Sequence, residues 1–239
     1  MKLIKFFAIF LFNIVDKFVH QKKILLFLKK KRLKVNCFVD VGSHKGTYTD
    51  LILKNFRVNK VLMFEPQKNI FKEIVKKYKT IKFIKIFNHA VSNKNKFENI
   101  YINRHDLTSS LKKINESNHY LKQKSKLFVS NNNQSLIKNT YKIKTVRLRD
   151  VLIKNRIQKI QLLKIDTEGH ELEVLLGLGK FVKNVHYMLI EFHRDKIYYN
   201  YSPKKIHNYL IKNSFTLEDT FRFPFTYWED RIYINSNFK

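Results

Sequence analysis

Apolar positions fall along this chain in two rhythms: short β-branched or aromatic runs, and between them stretches with helical spacing. That alternation is the signature of a parallel sheet with helical crossovers. "NCFVDVG" (36–42) reads as a buried strand and "GTYTDLILKNF" (46–56) as the helix after it. "KVLMFEP" (60–66) is a second strand that stops at Pro66, and "QKNIFKEIVKKY" (67–78) sets Ile70, Phe71, Ile74 and Val75 on one helical face. "IKFIKIFNHAV" (81–91) is a third strand, and the three units make one mononucleotide-binding half. From Ser92 to about Lys144 the pattern loosens: "ENIYIN" suggests an extra strand, while the Lys/Asn-rich remainder reads as a solvated insertion. Order returns with a helix over "TVRLRDVLIKN" (145–155), a strand over "IQLLKID" (160–166), a helix across "EGHELEVLLGLGKFV" and a strand over "HYMLIEFH" (186–193). "SPKKIHNYLIKN" (202–213) is a helix capped by Ser202 with Pro203 at its first position, and "FTLEDTFRF" and "RIYIN" form a closing antiparallel hairpin. No unit of 20–50 residues repeats, which excludes a solenoid.

With 239 residues the chain suits one α/β domain. A formal charge of +29 would favour polyanions, but only nine of the basic residues are Arg, and the Lys are spread along a chain rich in Asn, Ile and Phe. Such a drift in composition is weak evidence for nucleic-acid binding. Cys37 is the only cysteine, so an intrachain disulfide is excluded and a reduced, cytoplasmic setting follows; its apolar neighbours read as a buried strand rather than the surroundings of a nucleophile. Residues 1–35 form a separate basic and apolar helical segment. "LIKFFAIFLFNIV" (3–15) as a helix reaches only about 20 Å, short of a bilayer core, and "DKFVHQKK" after it offers no signal-peptide cleavage site. "KKILLFLKKKRLK" (22–34) has the Lys/Arg flanks of a segment lying on an anionic membrane face, here the inner one, and equally the pattern of a helix packed on the domain.

The stretch "FVDVGSHKG" (38–46) is a strand, a glycine turn and a helix start, a site where backbone amides face a ligand. A dinucleotide fingerprint counted from Gly42 would need Gly where His44 and Thr47 stand, and no Gly-Lys-Ser/Thr follows for a phosphate loop. What remains is Asp40, Gly42 and Gly46, which suits a ligand with an ammonium beside a carboxylate, such as S-adenosylmethionine. Glu65 closes the second strand, where a carboxylate accepts from ribose hydroxyls, and Asn88, His89 and Ala90 at the third strand's tip are candidates to flank an adenine.

"FVDVGSHKGTY", "MFEP", "NHAVS", "TSSL" (108–111), "VRLRDVL" and above all "LLKIDTEGHELEVLLGLG" followed by "IEFH" together resemble the FkbM family of S-adenosylmethionine-dependent methyltransferases, over about residues 36–193. The resemblance implies a class I methyltransferase fold: an α/β, Rossmann-like, doubly wound and mostly parallel seven-stranded sheet with an antiparallel last strand, here residues 36–239 with the insertion at about 92–144. It also implies O-methylation of a hydroxyl on a sugar, glycan or small metabolite. Ser43 and His44 stand where the family commonly has Ala-Asn, so contacts of those two side chains are not carried over.

"KIDTEGHE" places Asp166 at a strand's carboxyl end, with Glu168, His170 and Glu171 at the opening of a helix. Methyl transfer to a hydroxyl needs in-line approach and a base for the proton, tasks open to Asp166, Glu168 and His170. The plainer reading makes Glu168 and Glu171 complements to the helix dipole and Gly169 a turn. "HELEV" is no zinc motif, since Val174 replaces the second His. No metal is assigned; a divalent ion on Asp166, Glu191 and His193 is the alternative to their positioning substrate or satisfying one another. Two other functions compete: an RNA methyltransferase, which the absence of an RNA-binding module disfavours, and a non-catalytic membrane-surface protein, which saturable S-adenosylmethionine binding would exclude.

Overall fold

The computed structural model describes residues 19–103, 109–118, 136–194, 197–223 and 226–238. In chain order the elements are α1 (Gln21–Lys30), β1 (Cys37–Val41), α2 (Thr47–Asn55), β2 (Lys60–Phe64), α3 (Lys68–Tyr78), β3 (Ile84–Phe87), β4 (Ala90–Val91), β5 (Lys96–Asn103), β6 (Ile137–Val146), α4 (Leu148–Lys154), β7 (Ile160–Ile165), α5 (Glu171–Leu178), β8 (Val185–His193), α6 (Pro203–Lys212), β9 (Phe215–Arg222) and β10 (Trp228–Asn235). Seven strands form one sheet in the order β3-β2-β1-β7-β8-β10-β9. β3, β2, β1, β7 and β8 run parallel, while β10 runs antiparallel to both β8 and β9. The expected doubly wound sheet with an antiparallel last strand is therefore present.

The central strands are covered on both faces, which is why β1 and β7 read as continuous apolar runs. On one face Phe38, Val61, Met63, Leu162, Leu189 and Ile232 pack against Ile24 and Leu28 of α1, Tyr48 and Ile52 of α2, and Ile74 and Tyr78 of α3. On the other, Val39, Val41, Leu163, Ile165, Met188 and Ile190 meet Leu148 and Leu152 of α4, Val174, Leu175 and Leu178 of α5, and Ile206 and Leu210 of α6. α6 starts as its sequence dictates, with the Ser202 hydroxyl accepting from the Lys205 amide and Pro203 in the first turn.

Four expectations change. The strand 81–91 is two strands: β3 stays in the main sheet, and β4 leaves it to pair with β6. The insertion is ordered at both ends, because β5 and β6 pair antiparallel from Lys96–Thr145 to Asn103–Ile137; its middle, 119–135, lies outside the described residues. The helix over 145–155 begins only at Leu148, since Thr145 and Val146 belong to β6. The helix across 168–182 spans Glu171–Leu178, and a turn occupies 166–170. Of the N-terminal segment, α1 is packed on the domain through Ile24 and Leu28, and His20 hydrogen-bonds Asp230 of β10 at 2.8 Å. Among the described residues no helix is long and apolar enough to cross a membrane.

Candidate active site

Strands β1, β2, β7 and β8 deliver their carboxyl ends to one edge of the sheet, and the order reverses between β1 and β7, where a doubly wound fold opens its ligand crevice. Period-two alternation puts Asp40, Lys164 and Glu191 on the face that carries Phe38, Leu162 and Leu189. Glu65, Asp166 and His193 end the row as each strand finishes. Asp230 of β10 lies opposite Glu191.

The glycine turn and the Asp166 turn touch. The Asp166 amide donates to the Val41 carbonyl (3.0 Å), and a Cβ on Gly42, whose φ is +81°, would stand 1.8 Å from the Asp166 carbonyl oxygen. Only glycine permits that approach. Gly46, with φ +72°, caps α2, and its carbonyl accepts from the Tyr78 hydroxyl. Three of the turn amides expected to face a ligand point inward instead: those of Gly42 and Ser43 donate to the Phe64 carbonyl, and that of Gly46 to the Ser43 carbonyl.

Glu65 is buried, and its two oxygens accept from the His44 amide (2.9 Å) and the Gln67 amide (2.7 Å). Burial pushes its carboxyl up to about 7, against the pull of those two amides. Asn88 donates to the Glu65 and Pro66 carbonyls, so it braces the strand end, while Ala90 packs with Ile100 and Ile143 in the second sheet. His89 has its pKa lowered by burial and by Lys144. Asp40 is fully buried; one oxygen accepts from Thr49 (2.7 Å), and the other has no hydrogen bond and lies 4.0 Å from the Lys164 ammonium.

Lys164 organises the centre of this row. Its ammonium bonds Asp166 at 2.8 Å and sits over the Tyr48 ring. Burial disfavours its charge, but Asp166 and Asp40 outweigh that and raise its pKa. Asp166 is held ionised in return: burial acts against it, and Lys164 and a hydrogen bond to Glu191 draw its pKa below the usual range.

The "TEGHE" turn is built by Glu171, whose buried carboxylate accepts from the Thr167 amide and hydroxyl and from the Gly169 amide. Glu168 sits in the left-handed region (φ +55°), and the Ser110 hydroxyl fixes it by donating to its carbonyl at 2.5 Å. Its carboxylate accepts from Tyr198 and lies 3.3 Å from His193 Nε2. His170 does not join this group. It turns to Ser92 (3.0 Å) and Glu173 (3.7 Å), and burial lowers its pKa to about 4. The structure thus brings Asp166 and Glu168 together with Glu191 and His193, and sends His170 elsewhere.

Lys164, Tyr198 and Ser110 were not expected from the sequence. Lys164 had a signal, a charge inside the apolar run "IQLLKI". Ser110 lies in "TSSL", quoted only as a motif, and Tyr198 follows the predicted strand 186–193 with no pattern to mark it.

The seven-stranded sheet and the acidic edge at its switch point define a class I methyltransferase. The model of the methyltransferase FkbM domain matches residues 40–223, and the chain belongs to that family. The hexuronic acid methyltransferase AglP of Haloferax volcanii is 35% identical over 51 residues, 21% of this chain and 21% of that protein. The crystal structure of methyltransferase FkbM from Methylobacillus flagellatus KT superposes with a TM-score of 0.52 at 14% identity, covering 84% of this chain and 43% of that one. N-methyltransferase NodS of Bradyrhizobium japonicum WM9 gives 0.50 at 8% identity, covering 92% of this chain and 98% of its own. The matched part is thus about a fifth of AglP and less than half of the Methylobacillus protein. At these identities the two structures speak for the fold alone.

The cofactor of this family is S-adenosylmethionine, and the residues present suit it. Glu65 keeps lone pairs beyond the two amides it binds, and Asp40 keeps a buried oxygen without a hydrogen bond.

Proposed function

We propose that the chain is an O-methyltransferase that acts on a hydroxyl of a sugar, glycan or small metabolite. The observation that carries this reading is the direct contact of the Gly42 turn with the Asp166 turn, which sets an acid and imidazole cluster beside the cofactor turn. Bound S-adenosylmethionine would supply an electrophilic methyl group on a sulfonium. Glu65 would hold the ribose hydroxyls, and Asp40 would favour the ammonium end through its buried charge.

A hydroxyl acceptor must lose its proton as its oxygen gains the methyl group, so the site needs a group to orient the oxygen and one to take the proton. Asp166, kept ionised by Lys164, fits the first task. Glu168 and His193, 3.3 Å apart, fit the second, and His193 takes the place first assigned to His170. The short match to a hexuronic acid methyltransferase supports a sugar acceptor. The test is incubation with methyl-labelled S-adenosylmethionine and a panel of neutral and uronic-acid oligosaccharides, with the product read by NMR. A new O-methyl resonance is expected. Label appearing only in RNA, or in no acceptor while the cofactor binds, would count against the reading.

A further inference from the structure

We propose that Glu168, Glu191 and His193 bind one divalent cation. One ligand atom from each lies within 4.8 Å of the other two. His193 Nε2 stands 3.3 Å from Glu168 Oε2 and 3.5 Å from Glu191 Oε2. With metal–ligand bonds of roughly 2.1 Å, ligands in neighbouring positions lie about 3.0 Å apart at 90° and about 3.4 Å apart at 109°, so both distances match ligands of one ion.

A second feature is independent of that spacing. His193 is 4% exposed, and its Nε2, aimed at the two carboxylates, makes no hydrogen bond of acceptable geometry; the buried Glu191 Oε2 makes none either. Buried polar atoms are rarely left so, and each commonly marks a ligand. The charge points the same way. Asp166 and Asp230 flank Glu191, and Lys164 is already committed to Asp166 and Asp40.

The three groups are also held as ligands are. Glu191 and His193 are two apart on β8 and therefore share a face. The His193 ring lies between Tyr198 and Tyr201, at 5.1 and 5.6 Å, and its amide donates to the Tyr201 hydroxyl. Tyr198 in turn donates to the Glu168 carboxylate. Such outer contacts orient ligands and support affinity. Two carboxylates and one imidazole select a first-row divalent ion of borderline hardness, Mn²⁺ or Zn²⁺, over Ca²⁺ or Mg²⁺, which favour all-oxygen sets. Three protein ligands leave at least one position open. If the O-methyl reading holds, on which this role rests, that position takes an acceptor oxygen and lowers the pKa of its hydroxyl; with the ion bound, Glu168 and His193 act through it rather than as the base, and the proton passes to the ionised Asp166.

The test uses the full chain with neither cofactor nor acceptor, so its outcome does not depend on the methyl-transfer reading. Metal-stripped protein is titrated with Mn²⁺ and followed by electron paramagnetic resonance, with Zn²⁺ and Mg²⁺ as competitors. One site per chain is expected, displaced by Zn²⁺ far more readily than by Mg²⁺. Loss of an outer contact alone typically weakens such sites about 10- to 100-fold, so His193→Ala and Glu168→Gln should each weaken binding at least that much, while Glu73→Gln on the exposed face of α3 should not. The wild-type titration needs no variant to fold: absence of saturable binding near one per chain overturns the proposal. So does binding that survives unchanged in folded Glu168→Gln.

Discussion

Replacing Glu65 by Gln separates two effects of opposite sign in pH. The carboxyl is buried, with His44 and Gln67 amides on its two oxygens, and its pKa stands near 7 against 4.5 for the free side chain. A difference of that size corresponds to about 3 kcal/mol, at roughly 1.4 kcal/mol per pKa unit. Because the folded value is raised, the native state holds a proton that the unfolded chain has released between about 4.5 and 7. Wild-type stability from this residue is therefore fully present below about 4.5 and is lost as pH rises through about 7. Between pH 8 and pH 5 the linkage amounts to about 2.5 kcal/mol, and Gln, which does not titrate, lacks it. Other groups, including Glu171, whose pKa burial also raises to about 7, cancel in the comparison.

Cofactor affinity should move the other way. Ribose hydroxyls donate best to a carboxylate, so binding to the wild type must release the proton below pH 7 and should weaken about 15-fold between pH 7 and pH 5.5. In Glu65→Gln affinity should be lower at neutral pH by about tenfold or more and nearly independent of pH. Urea denaturation of both proteins at pH 5 and pH 8, with calorimetric S-adenosylmethionine titrations at pH 5.5 and 7, reads both effects. Parallel stability profiles would show that Glu65 is not neutral in the folded protein at pH 5. Equal cofactor affinity in the two proteins would remove it from the ribose site.

Asp166→Asn should lower turnover about 10²- to 10⁴-fold while leaving cofactor affinity within a few-fold, whereas His170→Gln, which faces Ser92, should cost turnover little; steady-state kinetics and calorimetry on both variants decide this. Ser110→Ala removes the hydroxyl that holds the Glu168 carbonyl and should destabilise by about 1–3 kcal/mol, with turnover falling more than affinity; urea melts and kinetics check it. Gly42→Ala drives a Cβ into the Asp166 carbonyl and should lose several degrees of melting temperature together with turnover, by scanning calorimetry. Cys37, buried and pushed up to about 11, should react with a maleimide only as fast as the protein unfolds; labelling matched to the unfolding rate is expected at pH 8. Reversible attachment to anionic membranes is expected to draw its apolar contact from residues 3–15, because Ile24 and Leu28 of α1 are already in the core; co-sedimentation with phosphatidylserine vesicles should fall when 1–18 are deleted.

The sequence made the central sheet readable for a physical reason: β1, β2, β7 and β8 are buried on both faces, so their apolar runs stand out from helices that alternate. The second sheet was hidden by its chemistry. In β6 Ile143 and Thr145 point inward while Lys142 and Lys144 point out, and that alternation is too polar to distinguish from a solvated loop. Val146, Leu148, Val151 and Leu152 then fall at helical spacing, which draws a predicted helix start three residues early, into β6. At the site, the juxtaposition of Asp40, Asp166, Glu191 and His193 was legible because strand alternation fixes the face of residues on neighbouring strand ends. The partners of His170, Ser92 and Glu173, were not legible, because two left-handed residues, Glu168 and Gly169, break the helical period just before it.

Lys164 shows why such a site is harder to read than its motif. Alone in a buried strand it would be a burden, since an unpaired ammonium there is costly. Paired with Asp166 and within 4.0 Å of Asp40, it draws the pKa of Asp166 below the usual range and offsets part of the burial that raises that of Asp40, one carboxylate on each side of the β1–β7 switch point. Glu168, in the turn after β7, and Glu191, on β8, have His193 at 3.3 and 3.5 Å, and among the described residues no lysine is ion-paired with either. The edge therefore has a half neutralised by Lys164 beside the cofactor turn and an acid-rich half reaching β8, joined through the Asp166–Glu191 hydrogen bond. Lys164→Met tests that division, because it removes the ammonium while keeping most of the stem. Loss of cofactor affinity without loss of Mn²⁺ binding is expected, and loss of both in a folded variant would mean the two halves are one site.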